Sequence, residues 1–160
     1  MGFRSDLWQL FTATFSSIRM KKQSLLSIQP KLGLEQLEPR KLLSVTRVHL
    51  NPTTPNLVIE GSNLDDVVTV SEDVPNVLTI SYTCDGQQMS DTFDKSLVQT
   101  IIFHGFEGND HFTNQTDVRT IAYGNEGNDI LVGGLGDDDI GGGDGDDVSR
   151  GGAGADRLRG

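Results

Sequence analysis

The chain has 160 residues, enough for one domain or one small domain with tails, which excludes a multidomain organisation. Hydrophobic residues make up 35% and aromatic residues 6%, which argues against a large apolar core, and the net charge of −10 favours cations over nucleic acid as partners. The single cysteine, Cys84, excludes an internal disulfide and a multi-cysteine zinc site. No apolar run approaches the roughly 18 residues of a transmembrane helix.

Residues 1–43 form a basic leader, and residues 1–47 have a net charge of +5. Apolar residues at helical spacing predict an amphipathic helix near the N-terminus: Phe3, Leu7, Phe11, Phe15 and Ile18. Polar residues interrupt this stretch and basic residues follow it, which does not fit an ordinary secretory signal. The alternatives are a membrane-surface helix or a disordered tail.

The end of the leader reads LEPRKLL, residues 37–43. This stretch resembles the LEPR-xLL element near the N-termini of large bacterial surface or exported proteins. The resemblance implies that the chain is exported. Pro39 biases Glu38 away from helical geometry, so an upstream helix should end before this element, which we interpret as a hinge or recognition tag.

Residues 44–104 are predicted to be an irregular β segment. Runs rich in β-branched residues, LVIEG, VVTVS, VLTISYT and SLVQTIIF, are separated by turn residues. Asp85-Gly86 is a two-residue signal for a tight hairpin. The partial alternation leaves two arrangements open, a small antiparallel sheet or the first irregular coils of the segment that follows.

Residues 105–160 contain a nine-residue repeat, clearest over 124–160. Glycine recurs at positions one and four, aspartate at position six, and an aliphatic residue at position eight in three of four units. The third unit has Ser149 at position eight and Val148 one place early. A weaker copy begins at Gly105, and the ten residues 114–123 that follow it predict either a bulge or a break in register.

The pattern G-G-x-G-x-D-x-U-x resembles that of the repeats-in-toxin (RTX) family, which implies a calcium-binding parallel β-roll. The fold class expected is therefore all-β, with a C-terminal β-solenoid. Glycines permit main-chain carbonyls to crowd toward one point, where an aspartate adds a charged oxygen. We expect such a site to bind Ca²⁺ rather than Mg²⁺, because the smaller Mg²⁺ tolerates a flexible carbonyl cage poorly. The predicted metal ligands are the position-six aspartates Asp110, Asp129, Asp138, Asp147 and Asp156. The predicted carbonyl ligands lie near Gly124, Gly127, Gly133, Gly136, Gly142, Gly145, Gly151 and Gly154.

In that family two units make one coil, which implies that Asp129 pairs with Asp147 and Asp138 with Asp156. Asp110 can join Asp129 only if the extra residue is absorbed. The remaining acidic residues of the array are expected to be solvated charges: Asp137, Asp139, Asp144 and Asp146. Because stacked aspartates repel one another, we expect the array to be disordered without calcium and to fold as it loads.

The sequence has neither H-E-x-x-H nor G-x-S-x-G, and His49, His104 and His111 have no catalytic arrangement around them, so we predict no enzyme. The expected function is an exported, calcium-binding structural or adhesion protein with an unidentified cell-surface or matrix partner. The alternative is the front piece of a larger secreted enzyme or toxin, favoured by the end at Gly160, one residue into a new unit. A disordered acidic tail is a third possibility, disfavoured by the strict period.

Overall fold

The computed structural model describes Val45 and residues 47–84 and 87–160. The basic leader, the LEPR-xLL element and the Asp85-Gly86 turn lie outside these residues, so the predictions made for them stay predictions. The structure describes twelve strands and one 3₁₀ turn, Lys95–Leu97. The strands are β1 (Arg47–Leu50), β2 (Asn56–Glu60), β3 (Val67–Val74), β4 (Val77–Cys84), β5 (Gln87–Asp94), β6 (Thr100–Glu107), β7 (His111–Asn114), β8 (Arg119–Glu126), β9 (Ile130–Gly134), β10 (Asp139–Asp144), β11 (Val148–Gly152) and β12 (Arg157–Arg159).

The strands form two six-stranded sheets, sheet A with the order β1-β2-β6-β8-β10-β12 and sheet B with the order β11-β9-β7-β3-β4-β5. From β6 onward, consecutive strands alternate between the sheets and pair in parallel with strands of the neighbouring coil. This is a parallel β-solenoid, which confirms the predicted fold class.

The coils differ in length by one residue. Thr100 pairs with Arg119, a separation of 119 − 100 = 19, whereas Ile121 pairs with Asp139, a separation of 139 − 121 = 18. The extra residue lies in the turn after β7, where Asn114 accepts the N–H of Thr116 at 2.9 Å and donates to the Val118 carbonyl at 2.8 Å. The stretch 114–123 therefore bulges and the register of the solenoid is kept.

Residues 44–104 combine the two arrangements that the sequence left open. Strand β2 pairs in parallel with β6, and β3 pairs in parallel with β7, so both extend the solenoid. Strands β3, β4 and β5 form an antiparallel meander in sheet B, and β1 pairs antiparallel with β2. The last pair between β4 and β5 is Cys84 with Gln87.

The core lies between the two sheets and is thickest between β6 and β7. The rings of Phe103 and Phe112 stack with centroids 4.7 Å apart. Position eight of the repeat points inward at Leu131 and Ile140, which are fully buried, whereas Leu158 at the last strand is 48% exposed. Val148, one place early in its unit, is 43% exposed. Each repeat therefore adds at most one buried aliphatic side chain, and the core becomes thin toward β12.

Candidate metal centre

The position-six aspartates lie at the corners of the solenoid, directly before the strands, and form two columns. The first ladder precedes sheet B, and its members are Asp66, Asp110, Asp129 and Asp147. The second ladder lies at the start of the sheet A strands, and its members are Asp138 and Asp156. Thr120 occupies the position one coil before Asp138.

In the ladder aspartates that follow Asp66, one carboxylate oxygen holds neighbouring coils together. The backbone N–H of Asp110 donates to Asp129 Oδ1 at 2.8 Å, and that of Asp129 donates to Asp147 Oδ1 at 2.9 Å. In the second ladder the N–H of Asp138 donates to Asp156 Oδ1 at 3.0 Å. The predicted pairs are thus neighbours, and Asp110 joins them because the turn after β7 absorbs the extra residue.

The other carboxylate oxygen has a different environment. The Oδ2 atoms of four ladder aspartates are buried and receive no hydrogen bond: Asp110, Asp129, Asp138 and Asp147. A buried carboxylate oxygen without a donor is costly, so such an atom calls for a positively charged partner.

Each of these oxygens lies over the position-one glycine of its own repeat. A Cβ atom on Gly124 would overlap Asp129 Oδ2 and would lie 2.6 Å from the Gly142 carbonyl oxygen. A Cβ on Gly133 would likewise overlap Asp138 Oδ2 and approach the Gly151 carbonyl oxygen to 2.8 Å. Glycine at position one therefore leaves room for a carboxylate and for the carbonyl of the next coil.

The donor set is made of oxygen alone and fits a hard cation. In the part of the chain that the structure describes, no group of three or more His, Cys, Asp or Glu side chains could hold a metal ion. A ladder site offers one carboxylate from each of two coils, so main-chain carbonyls must supply the other ligands. Calcium accepts such a mixture because it takes about six to eight oxygens in flexible geometry.

Position-four glycines form a separate column. Gly127 and Gly145 have φ angles of +134° and +133°, and a Cβ on Gly145 would overlap the carbonyl oxygen of Gly127. Gly136 differs: it has no positive φ, and a Cβ on it would meet the backbone of Asp117 and Arg119 in the bulged turn. These glycines permit close stacking of the corners, which brings the predicted carbonyl ligands of successive coils together.

Burial raises the pKa of Asp110 to about 7 and that of Asp138 to about 6. The pKa of Asp129 is raised for the same reason. In all three, the backbone hydrogen bond lowers the pKa and the charge of a neighbouring ladder aspartate raises it further. The ionised ladder is therefore unfavourable without a counter-charge, and a divalent cation at Oδ2 would supply one.

Position five contributes contacts that were not predicted. Asn109 Oδ1 accepts the N–H of Asn128 at 3.0 Å, and Asn128 Oδ1 accepts that of Asp146 at 2.8 Å. These bonds run from each coil back to the preceding one, opposite in direction to those of the ladders. The repeated Asn or Asp beside position six was the available sequence signal.

Two aspartates expected only as solvated charges also connect coils. Asp137 Oδ1 accepts the N–H of Ala155 at 2.8 Å, and Asp139 forms a 2.6 Å ion pair with Arg159.

Asp66 is the ladder member that the sequence prediction missed. It is fully buried, and its N–H donates to Asp110 Oδ1 at 2.9 Å. Residues 61–69, GSNLDDVVT, keep glycine at position one, aspartate at six and an inward aliphatic at eight, but lack the glycines between. The spacing of Gly61, Asp66 and Val68 was therefore the signal.

A parallel β-solenoid with aspartates stacked at its corners defines the β-roll class of calcium-binding repeats. Residues 123–158 match the family model described as RTX calcium-binding nonapeptide repeat, in four copies. The resemblance to RTX repeats is thereby confirmed for this segment, and with it calcium as the ion that such repeats bind.

No curated protein and no solved structure is significantly similar to the chain. The family match does not extend to the LEPR-xLL element, which stays a prediction. Among the described residues, none of the helical segments has the length and apolar character needed to span a membrane.

Proposed function

We propose that the chain is an exported structural protein whose solenoid folds as it binds calcium at the two ladders. The proposed ligands are the Oδ2 atoms of Asp110, Asp129, Asp138, Asp147 and Asp156 with carbonyls of the position-one and position-four glycines. The observation that carries the proposal is the row of buried Oδ2 atoms that receive no hydrogen bond, each above a glycine. A site forms between two neighbouring aspartates, which gives one ion each for the pairs Asp110–Asp129, Asp129–Asp147 and Asp138–Asp156.

Calcium couples to folding because the ladders exist only when the coils are stacked. Neighbouring strands lie about 4.8 Å apart, so stacking brings the carboxylates to about that spacing and makes them repel. The array offsets this repulsion with little apolar burial, since Leu131 and Ile140 are its fully buried aliphatic side chains beyond β8. A cation that binds only the folded form removes the repulsion and stabilises the coils.

The proposed location is outside the cell, at the surface or in the secreted fraction. Calcium modules with dissociation constants of about 10⁻⁴–10⁻³ M are loaded by the extracellular ion concentration. A site built mostly from carbonyls and only two carboxylates fits that affinity range. We propose that residues 1–43 act as the export or anchoring leader, 44–104 as the base of the solenoid, and 105–160 as the calcium-dependent array.

The test is far-UV circular dichroism of the full chain, titrated with calcium after chelator treatment. We expect β signal to increase in the millimolar range, with magnesium much less effective. The double variant Asp138→Ala and Asp147→Ala removes one aspartate from each ladder. It destroys two of the three proposed sites and should abolish most of the increase. The matched control Asp144→Ala changes an exposed acidic residue outside the ladders and should retain it. An equal calcium response in the double variant would refute the proposed ligands.

A further inference from the structure

The corner at residues 61–66 resembles the corners of the array that hold the proposed calcium ligands, which we call calcium corners. It lies outside the matched repeats, residues 123–158. Asp66 occupies the first place of the first ladder, and its N–H donates to Asp110 Oδ1 at 2.9 Å. A Cβ on Gly61 would lie 2.6 Å from Asp66 Oδ2 and 2.5 Å from the Gly105 carbonyl oxygen. Gly61, Asp66 and the Gly105 carbonyl therefore repeat the arrangement found in the array.

One contact distinguishes this corner from those of the array. The backbone N–H of Ser62 donates to Asp66 Oδ2 at 2.7 Å, and the Ser62 hydroxyl lies 3.4 Å from the same oxygen. In the repeats the equivalent Oδ2 atoms of Asp110, Asp129, Asp138 and Asp147 receive no hydrogen bond. The Oδ2 atom of Asp66, which corresponds to the oxygen without a donor in the array, thus accepts a hydrogen bond from the protein itself.

The difference follows from the backbone at position two. Phe106 and Asn125 both have a φ of +80° there, and the glycines at this position, Gly134, Gly143 and Gly152, have φ between +106° and +117°. Ser62 is not among the described residues with positive φ. Since φ fixes the orientation of the peptide plane that includes the N–H, the conformation of Ser62 directs this donor at the carboxylate. A donor at that oxygen opposes the approach of a cation.

The coil built on this corner supplies a large share of the core, which is continuous with that of the array. Six aliphatic side chains from β2, β3 and β4 are fully buried: Leu57, Ile59, Val68, Val70, Leu78 and Ile80. Strands β3, β4 and β5 pair with their sequence neighbours in antiparallel hairpins. Such local pairing forms readily, and the apolar burial per residue far exceeds that of the array.

We infer that the Gly61–Asp66 corner is a metal-free counterpart of the calcium corners and that its coil folds before calcium binds. The Ser62 N–H takes the place of the ion. The folded coil then presents the N–H of Asp66 to Asp110, so that it acts as the template on which the array orders. This inference rests on the proposed function, because a template is needed only if the array depends on calcium.

Hydrogen exchange measured by mass spectrometry on the full chain tests the order of folding. In chelator, residues 56–83 should be protected and residues 124–159 should exchange as an unfolded chain does. In millimolar calcium both segments should be protected. Rapid exchange of 56–83 in chelator would overturn the inference, even if the array still responded to calcium. Protection of 124–159 in chelator would instead refute the proposed function.

Calcium stoichiometry tests the metal-free corner independently. Isothermal titration should give Asp66→Asn the same number of bound calcium ions as the unaltered chain, whereas Asp129→Asn should bind fewer. Loss of an ion in Asp66→Asn would show that this corner binds calcium and would overturn the inference.

Variants of Ser62 test the role of its N–H. Ser62→Pro removes the N–H and should increase exchange of residues 56–83 in chelator at least tenfold. The control Ser62→Ala keeps the N–H and should not. Equal protection in both variants would contradict the role given to this donor.

Discussion

Replacing Asp129 by asparagine should have opposite effects with and without calcium. The substitution keeps the shape of the side chain and an oxygen for the Asp110 N–H, which now donates to Asp129 Oδ1 at 2.8 Å. It exchanges the charged Oδ2, which receives no hydrogen bond, for an amide that can donate to nearby carbonyls such as that of Gly142. The amide N–H groups therefore give the nearby carbonyl oxygens part of the positive charge that a cation would give them.

The stabilisation expected for Asp129→Asn without calcium follows from the spacing of the coils. Two unit charges about 5 Å apart at an effective dielectric constant of about 20 repel by about 3 kcal/mol. Asp129 has charged neighbours on both sides, Asp110 and Asp147. Salt and partial protonation of the ladder reduce the repulsion that the substitution relieves, so we expect a net gain of about 2 kcal/mol for the stacked, calcium-free coils.

With calcium present, the same substitution removes a charged ligand from two sites. A charged interaction worth about 1.5–3 kcal/mol corresponds to roughly a tenfold to hundredfold weaker calcium midpoint. The assay is circular dichroism of Asp129→Asn and Asp129→Ala, recorded in chelator and across a calcium titration. Asp129→Ala is the control, because it lacks the acceptor for the Asp110 N–H and should be less ordered than Asp129→Asn in chelator.

Two results would contradict these expectations: Asp129→Asn less ordered than the unaltered chain in chelator, or a calcium midpoint that is unchanged. The first result would mean that ladder repulsion is not what keeps the array from folding. The second would mean that Asp129 is not a ligand.

Three further predictions follow from the corners. Because the folded pKa values of about 7 for Asp110 and about 6 for Asp138 exceed the ordinary 3.8, the calcium-free fold takes up protons. The β signal of the chain in chelator should therefore rise as pH falls from about 8 to about 5, whereas the calcium-loaded fold should become less resistant to urea; a β signal in chelator that did not rise would contradict this. Gly142→Ala should prevent calcium binding between Asp129 and Asp147, since its Cβ would overlap Asp147 Oδ2. Gly141→Ala should not, since its Cβ would meet the Tyr123 ring at an ordinary 3.5 Å; equal calcium titrations would disprove the steric argument. Phe106 has a φ of +80°. In calcium, the free energy of unfolding of Phe106→Gly should therefore exceed that of Phe106→Ala by about 1 kcal/mol in denaturant titrations; no difference would show that the backbone there is unstrained.

The repeated pattern made the array predictable from the sequence. Glycine and aspartate at a fixed period place equivalent atoms one above another. Together with the two units per coil that the RTX resemblance implies, the period predicts the pairing of Asp129 with Asp147 and of Asp138 with Asp156. The same period predicts which residues point inward, since position eight lies two residues after the corner aspartate. Val148 points outward for this reason, although it is the more apolar neighbour of Ser149.

Features that depend on a single residue were not predictable in the same way. The absorption of the extra residue depends on the two hydrogen-bonding ends of Asn114, which period analysis does not detect. Asp66 was missed because Ser62 and Leu64 replace the glycines that mark the repeat. The joining of β4 and β5 to sheet B depends on pairing across the meander, to which local propensity is insensitive.

The most direct measurement is a crystal structure of the calcium-loaded chain with anomalous diffraction to identify the ions. We expect calcium between Asp129 and Asp147, in contact with Oδ2 of both and with main-chain carbonyl oxygen. Further ions should lie between Asp110 and Asp129 and between Asp138 and Asp156. Ladders whose Oδ2 atoms contact only water or protein donors at saturating calcium would contradict the account.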